Sequence, residues 1–361
     1  MRKIFNCLNF LLFKNFSKKG FIEPKNIILV SNTALGDTIL STPAIKSVRL
    51  NFPDANIVLL VHKKLHSFFQ KFEFVNQVEV FSSGLMGLTK QGLYFRKNNF
   101  DTILFLHSNG PQDLYLAMIS GANNILKAIN YPARVSKEFE KIMFNEIDYI
   151  NTKHIIEHRL DLVRCFNPNK LDKSMSIASK YYLGDTNNQS NIIALQLSAA
   201  DIYKAWPLSN FLNLMKKVAE SLKNNCKIIL LGIESEISLA KHFEESFKYP
   251  SLLENLCGKT SIEDLQAILQ RSSLLITNDT GTLHLAVSVK TPTISLFSPT
   301  DPKIFGPYQD LDRHKIVCVD GSYINDLPIK QRSQEAMSLI SVEDVFEVFQ
   351  ELKEGLFVCV E

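Results

Sequence analysis

An aspartate that could act as a general base follows the first apolar run of the chain. Asp37 comes after the run at residues 26–31 (NIILVS) and just before a predicted helix that begins near Ile39. A carboxylate beside a helix N-terminus is stabilised in its ionised form by the helix dipole, and an ionised carboxylate can take a proton. The alternative is a plain helix cap, the commoner role of an aspartate before a helix. A dinucleotide-binding turn is excluded, because Gly36 is the only glycine of residues 30–40 and GxGxxG is absent.

A turn suited to phosphate binding follows a later apolar run. Residues 273–277 (SLLIT) lead into residues 278–282 (NDTGT), where a short helix is predicted to begin. Main-chain N–H groups at a helix N-terminus bind anions, and a glycine allows close approach of the main chain. We expect a phosphorylated ligand to contact this turn and the histidine beside it, through Asp279, Thr280, Gly281, Thr282 and His284. The alternatives are a loop that merely ends a strand and a packed structural histidine.

Two more loops in the same half carry candidate ligand contacts. Ser198 ends an apolar run, and Lys204 and Trp206 come shortly before a predicted helix. The ammonium group of Lys204 could bind the same phosphates. The alternative is that Trp206 packs in the core while Lys204 extends to water. Residues 298–302 (SPTDP) follow the next strand, and two such loops on consecutive strands favour a ligand site over simple strand ends.

The elements that carry these residues alternate between apolar runs and helical stretches. Strands are predicted at residues 26–31, 55–62, 77–81, 101–108, 127–131, 191–198, 227–232, 273–279 and 291–299. Short apolar runs that alternate with helices indicate βαβ units, so the fold class is α/β with two doubly wound parallel sheets. Such sheets bind ligands at the carboxyl ends of their strands.

The polar segment 184–190 (GDTNNQS) is the predicted linker between the two halves. The predicted organisation is a basic, aromatic leader at residues 1–25, domains at residues 26–185 and 186–335, and a C-terminal helix within residues 336–361.

Composition narrows the class of protein further. The 361 residues are 45% hydrophobic and 21% charged, which is typical of a globular protein. The six cysteines form no CxxC pair and lie at no zinc-ligand spacing, so we expect no metal site, no cofactor and no disulfide framework, and a cytoplasmic location. The net charge is only +3, which argues against a nucleic-acid partner.

The basic excess belongs to the leader. Residues 1–25 contain six basic residues and one acidic residue. The apolar run of the leader is interrupted by polar residues, so it cannot span a bilayer, but phenylalanine and leucine interleaved with lysine favour an amphipathic helix on an anionic membrane surface. The alternative is an N-terminal extension with no role.

Three segments taken together resemble the bacterial ADP-heptose:lipopolysaccharide heptosyltransferases of glycosyltransferase family 9. They are ALGDTILSTPAIKSVR (34–49), the stretch from Ser198 to Pro207 that ends in KAWP, and NDTGTLHLAVSVKTPTISLFSPTDP (278–302). The resemblance extends over roughly residues 26–355, and the leader lies outside it.

The resemblance implies a GT-B architecture, in which an N-terminal acceptor-binding and a C-terminal nucleotide-sugar-binding Rossmann-like domain face a central cleft. It implies inverting, metal-independent transfer of a heptose from ADP-L-glycero-D-manno-heptose to the lipopolysaccharide inner core or another lipid A-linked acceptor. By motif, Asp37 matches the general base, whereas Lys204 and the turn 280–282 match the pyrophosphate contacts. Glu236 aligns best with the acid that contacts the ribose, and Glu234 is the alternative.

Lipopolysaccharide acceptors carry carboxylates and phosphates, so the acceptor site is expected to be basic. Lys63, Lys64 and Arg134 follow predicted strands of the first half and are the candidates. Such an acceptor would place the protein on the inner face of the inner membrane. The loop after residues 101–108 lacks the lysine that many relatives carry, so a different glycolipid acceptor stays open, as do another nucleotide-sugar donor and a relative that binds without catalysis.

Overall fold

The computed structural model describes residues 2–14, 20–108, 110–128, 137–143, 150–178, 191–328 and 331–357. The chain divides into two compact units, Met1–Ser179 and Lys180–Glu361. The predicted linker at residues 184–190 and the predicted boundary between residues 185 and 186 lie outside the described residues.

In its described part, the first unit contains a five-stranded parallel sheet with the strand order β3-β2-β1-β4-β5. Its strands are β1 (Asn26–Ser31), β2 (Asn56–Val61), β3 (Gln77–Val80), β4 (Thr102–His107) and β5 (Asn124–Lys127). Its helices are α1 (Arg2–Lys14), α2 (Leu35–Asn51), α3 (His66–Phe69), α4 (Gly84–Lys97), α5 (Gln112–Ser120), α6 (Lys137–Ile142) and α7 (Ile155–Arg164). Strands β1, β2 and β4 are buried almost along their whole length, as expected of a parallel sheet covered on both faces.

Two elements of the first unit differ from the sequence prediction. The predicted strand at residues 127–131 is wrong in position, because β5 pairs with β4 from Asn124 opposite Thr102 to Lys127 opposite Phe105. Residues 129–131 lie outside the described part of the chain. The helix predicted to begin near Ile39 begins at Leu35, so it takes Asp37 into its first turn.

The second unit, within its described residues, contains a six-stranded parallel sheet with the order β11-β10-β9-β6-β7-β8. Its strands are β6 (Ile192–Gln196), β7 (Lys227–Leu231), β8 (Leu253–Asn255), β9 (Leu274–Asn278), β10 (Thr293–Phe297) and β11 (His314–Cys318). Its helices are α8 (Leu208–Ser221), α9 (Ile237–Ser246), α10 (Ile262–Arg271), α11 (Gly281–Ser288), α12 (Pro302–Phe305), α13 (Glu335–Ser338) and α14 (Val342–Leu356).

Local signals account for several of these elements. Ser261 and Asp264 form a capping box at the start of α10, because each side chain accepts a hydrogen bond from the other residue's main-chain N–H. The last helix, α14, packs into the core of the second unit through Val345 and Phe349. Within the described residues, the helices are too short or too polar to cross a membrane.

The topology marks one ligand-binding position in each unit. In the first sheet the strand order reverses between β1 and β4, and in the second it reverses between β6 and β9. The loops that leave neighbouring strands at such a point diverge to opposite faces of the sheet and open a crevice at the carboxyl ends. The α/β doubly wound fold is therefore confirmed, and the two crevices are where candidate residues should be sought.

Candidate active site

Asp37 lies at the strand-order reversal of the first unit. It is the third residue of α2, which follows β1, and the residue before this helix is Ala34, whose side chain makes no cap hydrogen bond. The plain-cap alternative is therefore wrong, because Asp37 stands inside the first turn. Within that turn the dipole of the 17-residue helix favours a negative charge.

Three side chains surround the carboxylate of Asp37. Thr33 donates a hydrogen bond of 3.0 Å from Oγ1 to Oδ2. Nε2 of His107, the last residue of β4, lies 3.5 Å from Oδ1. Arg159, on α7, places NH2 at 3.5 Å from the same oxygen and donates from NH1 to the main-chain carbonyl of Asp37 at 2.7 Å. The carboxylate is thus held from the turn, from the neighbouring strand and from a distant helix.

Arg159 and Asp37 differ in how far their side chains are exposed to solvent. The side chain of Arg159 is fully buried, whereas the side chain of Asp37 is 32% exposed. A guanidinium within a few ångströms of a carboxylate favours the ionised form, and exposure leaves that carboxylate open to a substrate. The arrangement therefore orients a carboxylate that is accessible and chemically able to accept a proton.

The predicted acceptor-binding lysines lie at the same edge of the first sheet. Lys63 and Lys64 are exposed and form a short 3₁₀ turn directly after β2, which pairs with β1 up to Val61 opposite Ser31. The loop that carries Thr33 and the turn that carries the two lysines therefore leave adjacent strands. Arg134, the third candidate, lies outside the described residues.

The predicted phosphate turn lies at the reversal point of the second sheet. It follows β9, and α11 begins at Gly281 with Thr280 as its N-cap. Thr280 makes no cap hydrogen bond with its side chain to the helix; its Oγ1 lies 3.2 Å from Oγ1 of Thr277. The first main-chain N–H groups of any helix have no preceding helical carbonyl to bind, so those of Gly281 and Thr282 can bind an anion.

Lys204 contacts Asp279, the residue before the N-cap of α11. Its Nζ lies 3.4 Å from Oδ2 of Asp279, which also accepts a hydrogen bond of 2.9 Å from Oγ1 of Thr300. The side chain of Lys204 is partly exposed, at 23%. Asp279 therefore holds the ammonium group beside the phosphate turn rather than leaving it in bulk water. Residues 298–302 do border this site, as predicted, through Thr300.

A glutamine joins the phosphate turn to the predicted ribose-binding acid. Gln196, the last residue of β6, accepts a hydrogen bond of 3.3 Å from Oγ1 of Thr282 through its Oε1. Its Nε2 donates to Oε2 of Glu236 at 3.1 Å, and the main-chain N–H of Ile233 donates to the same oxygen at 2.9 Å. Glu236 is half-buried in this network, whereas Glu234 is exposed. The structure thus favours Glu236 over Glu234 as part of the cluster.

Asn278, which the sequence reasoning did not select, fixes the loop that carries Lys204. It is buried at the end of β9, and its Oδ1 accepts a hydrogen bond of 2.9 Å from the main-chain N–H of Trp206. Its Nδ2 donates to the main-chain carbonyls of Leu197 and Ser198 at 3.2 and 3.3 Å. The signal for this role was an amide side chain at the first position of the motif 278–282, where the apolar run ends.

The remaining candidates have simpler surroundings. Trp206 is buried and donates from Nε1 to the carbonyl of Ile340 at 2.9 Å, so the packing alternative for this residue is confirmed, although Lys204 stays beside Asp279. His284 is buried on α11. Ser198 directs its hydroxyl to the carbonyl of Ala199 at 3.2 Å. Among the described residues, no group of three or more His, Cys, Asp or Glu side chains is arranged to hold a metal ion.

The profile of glycosyltransferase family 9 (heptosyltransferase) matches residues 136–334, more than half of the chain. The chain belongs to this family. The family resemblance drawn from the three motifs is therefore confirmed, and the protein is a glycosyltransferase.

This family 9 member also has a full-length relative. It is 25% identical over 337 residues to lipopolysaccharide heptosyltransferase 3 of Escherichia coli strain K12, and the match covers 88% of this chain and 95% of the relative.

Solved structures share the fold of the family 9 member. A glycosyl transferase family 9 structure from Veillonella parvula DSM 2008 has a TM-score of 0.74 at 20% identity and covers 92% of this chain and 98% of that chain. The E. coli ADP-heptose lps heptosyltransferase II has a TM-score of 0.72 at 14% identity, with 91% and 98% covered. Both neighbours share the fold over more than nine-tenths of this chain, so the predicted GT-B fold class is confirmed.

Proposed function

We propose that this chain is an inverting heptosyltransferase that uses ADP-L-glycero-D-manno-heptose and glycosylates the lipopolysaccharide inner core. The observation that carries the proposal is the cluster at the carboxyl ends of β6 and β9. There Lys204 lies beside the N-terminus of α11, and Gln196 hydrogen-bonds both to Thr282 in the first turn of this helix and to Glu236. Such a cluster offers a cation and N–H donors for a diphosphate and a carboxylate for ribose hydroxyls. The name of the E. coli neighbour, an ADP-heptose transferase, supports the choice of nucleotide.

Asp37 is the proposed general base. The acceptor hydroxyl oxygen would bond to the anomeric carbon of the heptose while its proton passes to the carboxylate of Asp37. The bond from that carbon to the diphosphate breaks on the opposite face, and its electron pair leaves with ADP. Thr33 and Arg159 would keep the carboxylate in the orientation that accepts this proton. A positioned base contributes roughly 10²–10⁴-fold to such a transfer.

Stabilisation of the leaving group would come from the second unit. Negative charge grows on the diphosphate as its bond to the anomeric carbon breaks. The N–H groups at the start of α11 and the Lys204 ammonium would stabilise this charge. Groups that are already oriented stabilise this charge without reorganisation during the reaction. We assign donor binding to Ser198, Lys204, Glu236, Asp279, Thr280, Gly281, Thr282 and His284. No metal takes part in the proposed step.

The acceptor side is assigned to residues 26–185 and the donor side to residues 186–335. Lys63 and Lys64 supply exposed positive charge at the same sheet edge as Asp37, which suits the phosphates and carboxylates of a lipopolysaccharide core. Arg134 is proposed as a third contact on sequence grounds. A lipid A-linked acceptor would place this cytoplasmic protein at the inner face of the inner membrane as a peripheral protein.

A nucleotide titration tests the donor assignment. ADP, UDP and GDP are titrated by calorimetry into the wild type and into Lys204→Ala. We expect selective ADP binding that weakens in the variant. A preference for UDP or GDP would keep the site and replace the donor, whereas no binding of any nucleotide would contradict the donor site altogether.

A further inference from the structure

The leader helix α1 is packed onto the first unit through two residues on one of its faces. The ring of Phe5 lies edge-on to Tyr115 of α5 with centroids 5.5 Å apart, and Nδ2 of Asn9 donates to the carbonyl of Pro111 at 2.8 Å. Both side chains are buried. Ile4 and Leu11, on the other side of the helix, are each 54% exposed. The helix is thus fixed by one face while another face presents apolar residues to the surroundings.

Helix α4 has the same division into a packed and an exposed face. Leu88, Gly92 and Phe95 are buried, and Gly92 lies so close to Ile119 of α5 that a larger residue would clash. The exposed stripe recurs at helical spacing and consists of Met86, Lys90, Leu93 and Lys97. Met86 is 72% exposed, which is unusual for a large apolar side chain.

Tyr115 connects the two helices. Its ring contacts Phe5 of α1, and its hydroxyl shares a hydrogen bond of 2.6 Å with Thr89 of α4. One side chain of α5 therefore touches both helices, so α1 and α4 flank the same part of α5. We group the exposed residues of these two helices as the α1–α4 face and define it by Ile4, Leu11, Met86, Lys90, Leu93 and Lys97.

The charge of the two helices is of one sign. By sequence, α1 contains Arg2, Lys3 and Lys14, α4 contains Lys90, Arg96 and Lys97, and neither contains an aspartate or glutamate. Apolar side chains next to basic residues insert at the boundary between headgroups and acyl chains, while the cations attract anionic lipid. A protein partner would need no such uniform charge.

We propose that the α1–α4 face docks the protein on an anionic lipid bilayer. This inference rests on the proposed membrane location of the enzyme and adds α4, which shows no leader-like signal in the sequence, as a second contact element. Removal of the leader alone would leave the α4 stripe in place and would also uncover Tyr115, so point variants on both helices are the cleaner test.

Vesicle flotation of the full-length protein tests the proposal. The vesicles are phosphatidylcholine alone or an equimolar mixture with phosphatidylglycerol. The variants are Met86→Glu/Leu93→Glu and Ile4→Glu/Leu11→Glu. The matched control is Leu311→Glu/Leu339→Glu, which alters two leucines of the second unit that are 61% and 58% exposed. Thermal unfolding midpoints and ADP titration of each variant check the fold and the donor site.

We expect the wild type and the control to bind the anionic vesicles and to bind phosphatidylcholine far less. Each variant of the face should lose about tenfold or more of its vesicle affinity, because an apolar contact is lost and a carboxylate is placed near anionic lipid. ADP binding should not change. If Met86→Glu/Leu93→Glu binds anionic vesicles as tightly as the wild type, the contact of α4 with lipid is overturned, while the contact of α1 is not. If the wild type does not bind anionic vesicles, or self-associates through the α1–α4 face instead, the proposal and the membrane location are both overturned. ADP binding reports separately on the donor site in either case.

Discussion

Thr33 donates a hydrogen bond of 3.0 Å from its hydroxyl to Oδ2 of Asp37. The same hydroxyl lies 2.7 Å from Nδ1 of His107. A hydroxyl has one proton to donate, so with the carboxylate as its acceptor the Thr33 oxygen accepts a hydrogen bond from the Nδ1–H of His107. The threonine therefore orients the proposed base and links it to the end of the neighbouring strand.

Loss of the Thr33 hydroxyl should lower the transfer rate while donor binding is retained. We expect Thr33→Val to reduce kcat about tenfold, because a hydrogen bond to a charged group is lost. Thr33→Ser is the matched control, since it keeps the hydroxyl and should stay within about twofold of the wild type. The measurement is steady-state transfer kinetics together with ADP titration. Equal transfer rates for the valine and serine variants would show that the Thr33 hydroxyl has no role in the transfer step.

Loss of the Lys204 ammonium should weaken ADP binding. We expect Lys204→Ala to lower ADP affinity about 10–100-fold, since a charge-assisted contact to phosphate is lost. Adenosine, which has no phosphate, should bind both proteins alike. Lys216→Ala is the control, because Lys216 is an exposed lysine on α8 of the same unit. An alanine variant with wild-type ADP affinity would show that Lys204 plays no part in ADP binding.

Gln196 is expected to act as a positioning residue between the phosphate turn and Glu236. Gln196→Leu removes both of its hydrogen bonds, to Thr282 and to Glu236, and should lower ADP affinity about tenfold. Gln350→Leu, at an exposed glutamine on α14, is the control for loss of an amide. Calorimetry and the thermal midpoint are measured together. If the ADP affinity of Gln196→Leu falls only because its thermal unfolding midpoint is also lower, the role of Gln196 is structural.

His314 should make the second unit less stable in mild acid. Burial lowers the pKa of this histidine to about 4, from an ordinary value of 6.5. Because the unfolded chain binds the proton more readily, the contribution to stability is complete above pH 6.5. It decreases as the pH falls towards 4, by at most about 1.4 kcal/mol per pH unit.

The Nδ1 atom of His314 lies 3.1 Å from Oγ1 of Thr293. The test compares the wild type with His314→Gln, which does not titrate and carries a polar amide at this position. Urea unfolding is followed through Trp206, the only tryptophan of the sequence, which lies in the core of the second unit. Between pH 6.5 and 5 the wild type should lose more unfolding free energy than the variant. Parallel pH profiles would contradict the assignment to His314.

Much of this architecture could be predicted from local patterns. Apolar runs at residues 26–31 and 273–279 predicted β1 and β9, and the loops after them predicted where Asp37 and Thr280 would lie. These signals are local because strand burial and helix N-termini leave their mark within a few residues. The position of β5 was predicted wrongly, since Asn124 and Lys127 belong to it only through pairing with β4.

The residues that the sequence did not reveal are those that depend on long-range contacts. Arg159 lies 122 positions after Asp37, and no local pattern connects a buried arginine on α7 with the first turn of α2. Gln196 meets Glu236 from 40 positions away. His107 could have been selected, because it lies near the end of the predicted strand 101–108, at the same sheet edge as the Asp37 turn. Tertiary packing decides these pairs, and a single sequence does not record it.

The most direct test of the account is the transfer reaction of Asp37→Asn with ADP-heptose and a heptose-deficient lipopolysaccharide acceptor. The measured quantity is acceptor-dependent ADP release. It is compared for the wild type, for Asp37→Asn and for Asp54→Asn, which alters an exposed aspartate of the same unit. The account predicts a loss of about 10²–10⁴-fold for Asp37→Asn, with ADP affinity unchanged and Asp54→Asn fully active. Transfer by Asp37→Asn at the wild-type rate would contradict the central claim that Asp37 is the base.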